Sequence, residues 1–267
     1  MNRLRKNALI GLLLLFTVVF NGCIDVVEEI VFKKDGSGNY VMNFDMSKMM
    51  SMLGGMDIGS MLGGEEGEAA PKDPQEKKDP IVVDTTISFK SMIAERGMEL
   101  DRADLWEKVV MKMKMDQTKG IMRMKIAFDF DNAEDINYIQ SNLGKLSQDE
   151  GGASGVAPGL DGLMGMMNTG TDKIAFKKRT FTRSSTPKEK SEKSENDEMA
   201  QQMEMMKMFM ADASYKTIYR FPRRVKSVSN KNSKIADDKK TVVTELNFLE
   251  LMDGKVKTDN KIKLKRR

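Results

Sequence analysis

The sequence predicts an α+β fold in which antiparallel β-hairpins form a sheet that packs against two or three helices. A Val- and Ile-rich run precedes the turn at 33–38, and apolar residues occupy every second position after that turn and on both sides of the turn at 117–120, which is the pattern of β-hairpins. An apolar stripe with helical spacing follows the second hairpin. Low-complexity segments near 54–80, 147–170 and 184–196 are predicted to be disordered insertions.

The composition limits the chemistry of the chain. It has 267 residues, of which 40% are hydrophobic and 31% charged, with one cysteine and no histidine. A single cysteine excludes an intramolecular disulfide framework and a multi-cysteine metal site. The lack of histidine removes the commonest general base and metal ligand. No nucleophile or phosphate-loop motif is present, so we expect neither enzymatic activity nor a cofactor.

The net charge of +4 is small, and three of the cations, Arg3, Arg5 and Lys6, lie in the first 22 residues, which leaves +1 for the rest. We therefore expect no nucleic-acid partner, because such proteins carry a concentrated basic footprint. Residues 223–267 nevertheless hold 14 Lys and Arg against 6 Asp and Glu. The lysines of 261–267 are interpreted as protection of an edge strand, and an anionic lipid or phosphate partner is a secondary prediction.

The N-terminus is organised as a secretory signal. Residues 1–7 are basic and 8–20 form an apolar run of 13 residues, shorter than the ~20 that span a bilayer as a helix. The junction at Cys23 resembles the lipobox of bacterial lipoproteins. The resemblance implies that residues 1–22 are removed, that Cys23 is acylated, and that 23–267 form one membrane-anchored extracytoplasmic domain. A buried core thiol and an uncleaved signal anchor remain alternatives.

The first hairpin begins with Asp25–Phe32, which is rich in the Val and Ile that favour strands. The Gly-containing turn at 33–38 follows. Ser47 is positioned to cap a short helix that ends at Gly54. The apolar face of the second strand consists of Tyr40, Met42, Phe44 and Met46.

The second hairpin is preceded by two less regular segments. Residues 81–95 are apolar without a clear period, and 101–108 are predicted to form a short helical turn around Trp106. The inward residues of the first arm are predicted to be Val109, Met111, Met113 and Met115. Those of the second arm are Met122, Met124, Ile126, Phe128 and Phe130.

A helix is predicted directly after this hairpin. Asp131 and Glu134 have the spacing of a capping box, and the apolar stripe consists of Ile136, Ile139, Leu143 and Leu146. Phe44–Ser47 and Phe128–Asp131 both end an alternating strand and supply a helix cap. This similarity suggests an internal ββα repeat, with chance similarity of a short match as the alternative.

The C-terminal half is predicted to be mostly strands. Residues 172–184 form one strand candidate, and a Met-rich helix is predicted over 197–212. Four further strand candidates are 215–222, 225–230, 240–248 and 261–265.

The carboxylates show no catalytic pattern. The pairs Glu28–Glu29 and Asp237–Asp238 are interpreted as solvated. Asp35 lies in a sequence that resembles the start of a calcium loop but lacks the later ligands, so a hairpin turn is predicted there.

The 25 methionines are unusual. Thioethers are soft ligands that suit Cu(I), so a Met-rich protein that binds Cu(I) or Ag(I) outside the cytoplasm is one functional alternative. Packing in the core or on an apolar surface is the preferred interpretation, because Met fills irregular apolar space. The candidate metal ligands are Met199, Met203, Met205, Met206, Met208 and Met210.

Cys23, the first hairpin and the residues of 219–242 together resemble the LppM-type domain of bacterial lipoproteins. The matching positions are Tyr219, Phe221, Pro222, Val225, Ser229, Asn230, Asp238, Thr241 and Val242. The resemblance implies a sheet-rich α+β domain with an apolar cavity for a lipid or another apolar ligand. We therefore expect a non-enzymatic binding or structural module of the cell envelope, anchored by lipid, with the outer membrane favoured.

Overall fold

The computed structural model describes residues 24–53, 80, 82–95, 101–146, 170–187 and 210–266. These residues have the predicted α+β fold, with two sheets and five short α-helices. The helices are α1 (Ser47–Leu53), α2 (Phe89–Glu95), α3 (Ala103–Trp106), α4 (Ala133–Leu146) and α5 (Phe248–Met252). The strands are β1 (Asp25–Phe32), β2 (Gly38–Asp45), β3 (Val82–Ser88), β4 (Val110–Asp116), β5 (Ile121–Phe130), β6 (Gly170–Lys177), β7 (Thr180–Pro187), β8 (Ser214–Arg220), β9 (Val225–Ser227), β10 (Ser233–Ile235), β11 (Thr241–Asn247) and β12 (Asn260–Leu264).

The larger sheet has eight strands in the order β10-β11-β8-β1-β2-β5-β4-β3, and the smaller sheet has four in the order β6-β7-β12-β9. Strand β1 pairs antiparallel with β2 on one side and parallel with β8 on the other. The N-terminal strand therefore lies inside the larger sheet, next to a strand from the C-terminal part of the chain.

The first hairpin is confirmed, and Gly38 is required at its turn. Gly38 pairs with Phe32, and a Cβ there would lie 1.9 Å from the carbonyl oxygen of Val31 and 2.5 Å from Cζ of Phe130. Only glycine allows the backbone of β1 and the ring of Phe130 to approach so closely.

The second hairpin is confirmed as well. Strands β4 and β5 pair antiparallel around a 3₁₀ turn, Gln117–Lys119. Their alternation gives one buried and one exposed face, as predicted, and β5 also pairs with β2. All nine predicted inward residues of the two arms are buried.

The predicted cap of α4 is wrong by one residue. Asn132, not Asp131, caps the helix, and its Oδ1 accepts a hydrogen bond from Glu134 N at 2.9 Å. The reciprocal carboxylate is Asp135, not Glu134, and its Oδ2 accepts from Asn132 N at 3.1 Å. Of the predicted stripe, Ile136 and Ile139 are fully buried and Leu143 packs partly buried against the core, whereas the side chain of Leu146 lies outside the described residues.

The cap of α1 also differs from the simple prediction. The Ser47 hydroxyl accepts from Met122 N on β5 at 3.2 Å. The carboxylate of Asp45 accepts from Ser47 N at 3.0 Å at the start of the helix. Ser47 thus links the helix to the sheet.

The core lies between the inner face of the larger sheet and a layer made by the smaller sheet with α4. Helix α4 packs on β6 and β5, and α1 packs on β5. An aromatic cluster joins the two sheets. Phe32 of β1 lies 4.6 Å from Phe176 and 5.7 Å from Phe181, measured between ring centroids.

Three segments depart from their predictions. Residues 81–95, whose sequence shows no clear period, contain strand β3 followed by α2. Residues 172–184 are not one strand, because the chain reverses at Lys178, which has a φ of 56°. Strand β12 is not an edge strand, because it lies between β7 and β9. The lysines of 261–265 therefore do not protect an edge.

Other predictions are incomplete or untested. The five helices exceed the two or three expected, and β10 and α5 were not anticipated. The internal ββα repeat is not confirmed, since α1 has 7 residues and packs on β5 whereas α4 has 14 and packs mainly on β6. Most of the three predicted insertions and most of 197–212 lie outside the described residues. The start of the third insertion is wrong, because residues 184–187 belong to strand β7, and residue 170, the end of the second, begins β6.

Candidate functional site

The most unusual feature of the interior is a cluster of charged and phenolic side chains between the two sheets. It starts from the alternation of β1, which turns Val26, Glu28, Ile30 and Phe32 toward the core. Glu28 has no solvent-exposed surface. Its interpretation as a solvated carboxylate is therefore wrong, and its phase with the apolar residues of β1 is the signal that could have shown this.

Arg183 of β7 provides the opposing charge. Its guanidinium donates through Nη1 to the carboxylate of Glu28, and through Nη2 and Nε to Asp172 of β6, with the Nε bond at 2.6 Å. The Arg183 side chain is 2% exposed and that of Asp172 is 14% exposed. One arginine thus holds two carboxylates from two different sheets.

Two tyrosines of β8 complete the contacts of Arg183. Tyr215 Oη accepts from Nη2 at 3.1 Å and donates to Glu28 Oε2 at 2.9 Å. Tyr219 Oη accepts from Nη1 at 2.8 Å. Both phenols lie on the inner face because β8 alternates in phase with its parallel neighbour β1.

Gln140 of α4 connects this cluster to a third tyrosine. Its Nε2 donates to Glu28 Oε1 at 3.3 Å and to Tyr40 Oη at 3.2 Å. Its Oε1 is buried and has no hydrogen-bond partner among the described residues. On the other side of the cluster, the Thr258 hydroxyl lies 3.4 Å from both carboxylate oxygens of Asp172.

Burial controls the protonation of the cluster. Burial raises the pKa of the Tyr219 hydroxyl to about 12 and that of Tyr215 well above its ordinary value. Although burial opposes it, the carboxylates of Asp172 and Glu28 hold the pKa of Arg183 well above its ordinary value. The arginine is therefore charged and the phenols are protonated near neutral pH.

The carboxyl group of Asp172 has a raised pKa. Burial raises the pKa of its carboxyl group, Arg183 opposes the rise, and the nearby Glu28 adds to it. Two buried carboxylates that share one guanidinium cannot both be fully neutralised. The cluster can therefore hold a proton on Asp172 that an exposed aspartate would lose.

This arrangement links the two sheets, and its central charged groups are enclosed between them. Glu28 and Arg183 are almost inaccessible to solvent, and their polar atoms are engaged with each other and with the tyrosines. The described residues contain no group of three or more Cys, His, Asp or Glu side chains placed to hold a metal ion. Acid–base chemistry on a substrate would need access that these side chains lack.

The site residues predicted from the sequence are mostly not described. Cys23 lies outside the described residues, as do Met199, Met203, Met205, Met206 and Met208. Met210, the remaining candidate ligand, is 2% exposed. Asp35 occupies the predicted hairpin turn, where it accepts from Ser37 N at 3.1 Å and from Ser37 Oγ at 2.7 Å.

The described methionines of the two hairpins, of α1 and of the segment before β8 belong to the core. Nine of them are buried, and Met42 packs against the core from a partly exposed position. The buried ones are Met46, Met49, Met50, Met111, Met113, Met115, Met122, Met124 and Met210. In this part of the chain, therefore, methionine packs the interior, as the preferred interpretation predicted.

No protein-family model matches the chain, and comparisons with curated proteins and with solved structures found no significant match. The resemblances to the lipobox and to the LppM-type domain therefore stay predictions. Among the residues that the structure describes, no helix is both long and apolar enough to cross a bilayer.

Proposed function

We propose that this protein is a lipid-anchored, non-enzymatic binding module of the bacterial cell envelope. The observation that carries the proposal is the position of the folded domain relative to Cys23. Ile24 is 3% exposed, its carbonyl oxygen accepts from Ser214 N at 2.9 Å, and β1 begins at Asp25. An acyl group on Cys23 would therefore be attached directly to a central strand of the domain.

The inaccessible Arg183 cluster supports a binding role over catalysis. Perturbed ionisable groups often mark active sites, but here they are enclosed between two sheets. The copper alternative stays a prediction, since five of its six methionines lie outside the described residues and the sixth, Met210, is buried.

Mass spectrometry of the protein purified from membranes tests the anchor. We expect the wild-type chain to begin at Cys23 and to carry a diacylglycerol and an amide-linked acyl group. The matched Cys23→Ala variant should retain residues 1–22 and lack both modifications. A wild-type chain with an intact N-terminus and a free thiol would refute the anchor.

Native mass spectrometry of the same membrane-purified protein tests the binding role. A co-purifying lipid or other apolar molecule is expected. Stoichiometric Cu(I) instead would favour the Met-rich metal-binding alternative.

A further inference from the structure

A basic surface lies at the end of the fold where β1 ends. We define it by the Lys and Arg residues of 33–34, 177–179, 223–226, 239–240 and 265–266. These residues come from four separate turns and the end of β12. Eleven of the twelve are exposed.

Backbone hydrogen bonds hold these segments together. Leu264 N donates to the carbonyl oxygen of Arg179 at 2.8 Å, and Lys265 N donates to that of Arg224 at 2.8 Å. The end of β12 therefore lies between the turn after β6 and the segment after β8.

Two further contacts bring in the remaining turns. Val225 N donates to the carbonyl oxygen of Lys239 at 2.7 Å. The ring of Phe32, which precedes Lys33, lies 5.8 Å from the ring of Phe221. All five segments thus share one continuous end of the molecule.

The charge of this surface is not neutralised by the described residues. Twelve cations face three carboxylates, Asp35, Asp237 and Asp238, a balance of +9. None of the twelve forms an ion pair with another described residue, whereas Lys114 and Arg123 elsewhere on the larger sheet do. Two of the carboxylates, Asp35 and Asp238, instead accept hydrogen bonds within their own turns.

Other acidic residues lie at this end, around the start of α4, and two of them are paired with cations. Asp131 binds Lys108 at 3.0 Å, and Asp135 binds Arg102 at 3.3 Å. The cations at this end that form no ion pair with a described residue therefore lie in turns of both sheets and after β12, and not around the start of α4.

Two lysines of the basic surface occupy strained backbone positions. Lys178 has a φ of 56° and Lys239 a φ of 59°, and they are two of the three non-glycine residues with positive φ in the described chain. Glycine or asparagine adopts this conformation at lower cost. Lysine at both turn tips places charge there at the expense of backbone stability.

We infer that the basic surface binds an extended polyanion, such as a chain of phosphate groups, through its charge. The surface is spread over several turns, which suits a polymer with repeated charges. The exposed large hydrophobic residues of the described chain, Val82 and Met252, lie elsewhere. Among the described residues, therefore, the basic surface has no exposed large apolar side chain for stacking on bases or for contact with an apolar protein surface.

The position of the basic surface argues against the anchoring membrane as the partner. Strand β1 has 8 residues, so its two ends are about 25 Å apart. Ile24 is at one end and the turn at 33–34 is at the other. This step alone rests on the proposed lipid anchor, because only the anchor places the membrane beside Ile24.

The test uses the full chain purified from membranes in neutral detergent, with inorganic polyphosphate as the probe and orthophosphate for comparison. If about four phosphates are contacted, affinity for polyphosphate should fall ~50-fold between 50 and 200 mM salt, given a slope of about −0.7 per contact for a flexible strand. Orthophosphate should bind at least tenfold more weakly. Equal binding of the two anions, or no binding of polyphosphate at low salt, would overturn the inference.

The variant Lys178→Gly/Lys239→Gly gives a sharper test. We expect it to bind polyphosphate at least fivefold more weakly, while its Tm is unchanged or raised by about 2–4 °C because backbone strain is relieved. The control Lys112→Gln/Lys125→Gln removes the same charge from the exposed face of β4 and β5 and should bind as wild type. Equal losses in both double variants would show a non-specific charge effect.

Vesicle co-sedimentation and mass spectrometry of Cys23 distinguish the remaining outcomes. If the protein co-sediments with phosphatidylglycerol vesicles more than with phosphatidylcholine vesicles and does not bind polyphosphate, the surface binds a bilayer. That result would overturn the inference of a polyanion partner. If Cys23 proves unmodified in a sample that binds polyphosphate, the lipid anchor fails and the anion surface stands.

Discussion

Arg183 and Glu28 form a buried ion pair that joins the two sheets across 155 residues of sequence. Their side chains are 2% and 0% exposed. Removing one member of such a pair leaves an uncompensated charge in the interior, so this contact is expected to dominate the response of the fold to mutation.

Arg183→Met should lower the free energy of unfolding by about 3–5 kcal/mol, because Glu28 would remain buried without its counter-charge. Urea denaturation measures the loss. Arg220→Met is the matched control, since Arg220 pairs with Glu29 at the surface, and it should cost less than about 1 kcal/mol. Similar losses in the two variants would contradict the buried role.

Tyr215→Phe should cost about 1.5–3 kcal/mol, because the lost hydroxyl bridges Glu28 and Arg183. Tyr138→Phe provides the comparison. Its hydroxyl donates to the carbonyl oxygen of Asp101 near the surface, and its loss should cost about 1 kcal/mol or less. If Tyr138→Phe were the more harmful change, the importance of the cluster would be in doubt.

The raised pKa of Asp172 should make the protein less stable as pH rises. Burial raises the pKa of Asp172 above its ordinary 3.8, so the native state binds more protons than the unfolded state above that pH. The free energy of unfolding of wild type, relative to Asp172→Asn, should therefore fall as pH rises from 3.8 through the raised pKa. Urea melts at a series of pH values measure the difference.

Asp238 provides a control in which the free energy of unfolding depends on pH with the opposite sign. Hydrogen bonds from Thr241 and the backbone lower the pKa of Asp238 to about 2 from 3.8. The stabilising contribution of the Asp238 carboxylate to the free energy of unfolding, measured relative to Asp238→Asn, should be present above pH 3.8. It should be lost as pH falls through about 2. The same slope in both variants would refute the assignment.

Asp135→Ala should lower stability by about 1–3 kcal/mol, because this buried carboxylate accepts from Asp131 N and Asn132 N at the start of α4. Glu134→Ala should change it by less than about 0.5 kcal/mol, because Glu134 is exposed. Thermal unfolding of both variants decides between the two capping registers. A larger effect at Glu134 would restore the register predicted from sequence.

Gly38→Ala should be strongly destabilising, by about 3 kcal/mol, since the new Cβ overlaps Val31 and Phe130. Gly254→Ala separates this clash from backbone strain. Gly254 has a φ of 71° and open space around its Cβ position, so only the conformational cost of about 1 kcal/mol applies. Equal losses would show that crowding at Gly38 is relieved by movement of the ring.

The hairpins could be predicted from sequence because their signals are local. In β1 and β2, and again in β4 and β5, the alternation of side chains and the turn residues lie within 20 or so residues of each other. Burial of Glu28 was missed because its counter-charge, Arg183, comes from a distant segment. An acidic residue on an apolar face is usually assigned to solvent unless its partner is known.

The position of β12 illustrates the same limit. Its lysines alternate with Ile262 and Leu264, a pattern that fits either an edge strand or a strand with one solvated face. Only the pairing with β7 and β9 decides between them. The sequence predicts one strand where β6 and β7 form a hairpin, because the turn between them contains Lys178 instead of glycine.

The parallel pairing of β1 with β8 limits the order in which the chain can fold during synthesis. Ser214 is 189 residues from Asp25, so a nascent chain presents β1 with one open hydrogen-bonding edge until most of the polypeptide has emerged. Such non-local pairing slows folding and leaves an edge open to aggregation. The domain cannot fold vectorially from its N-terminus, and its first strand needs protection until the last quarter of the chain arrives.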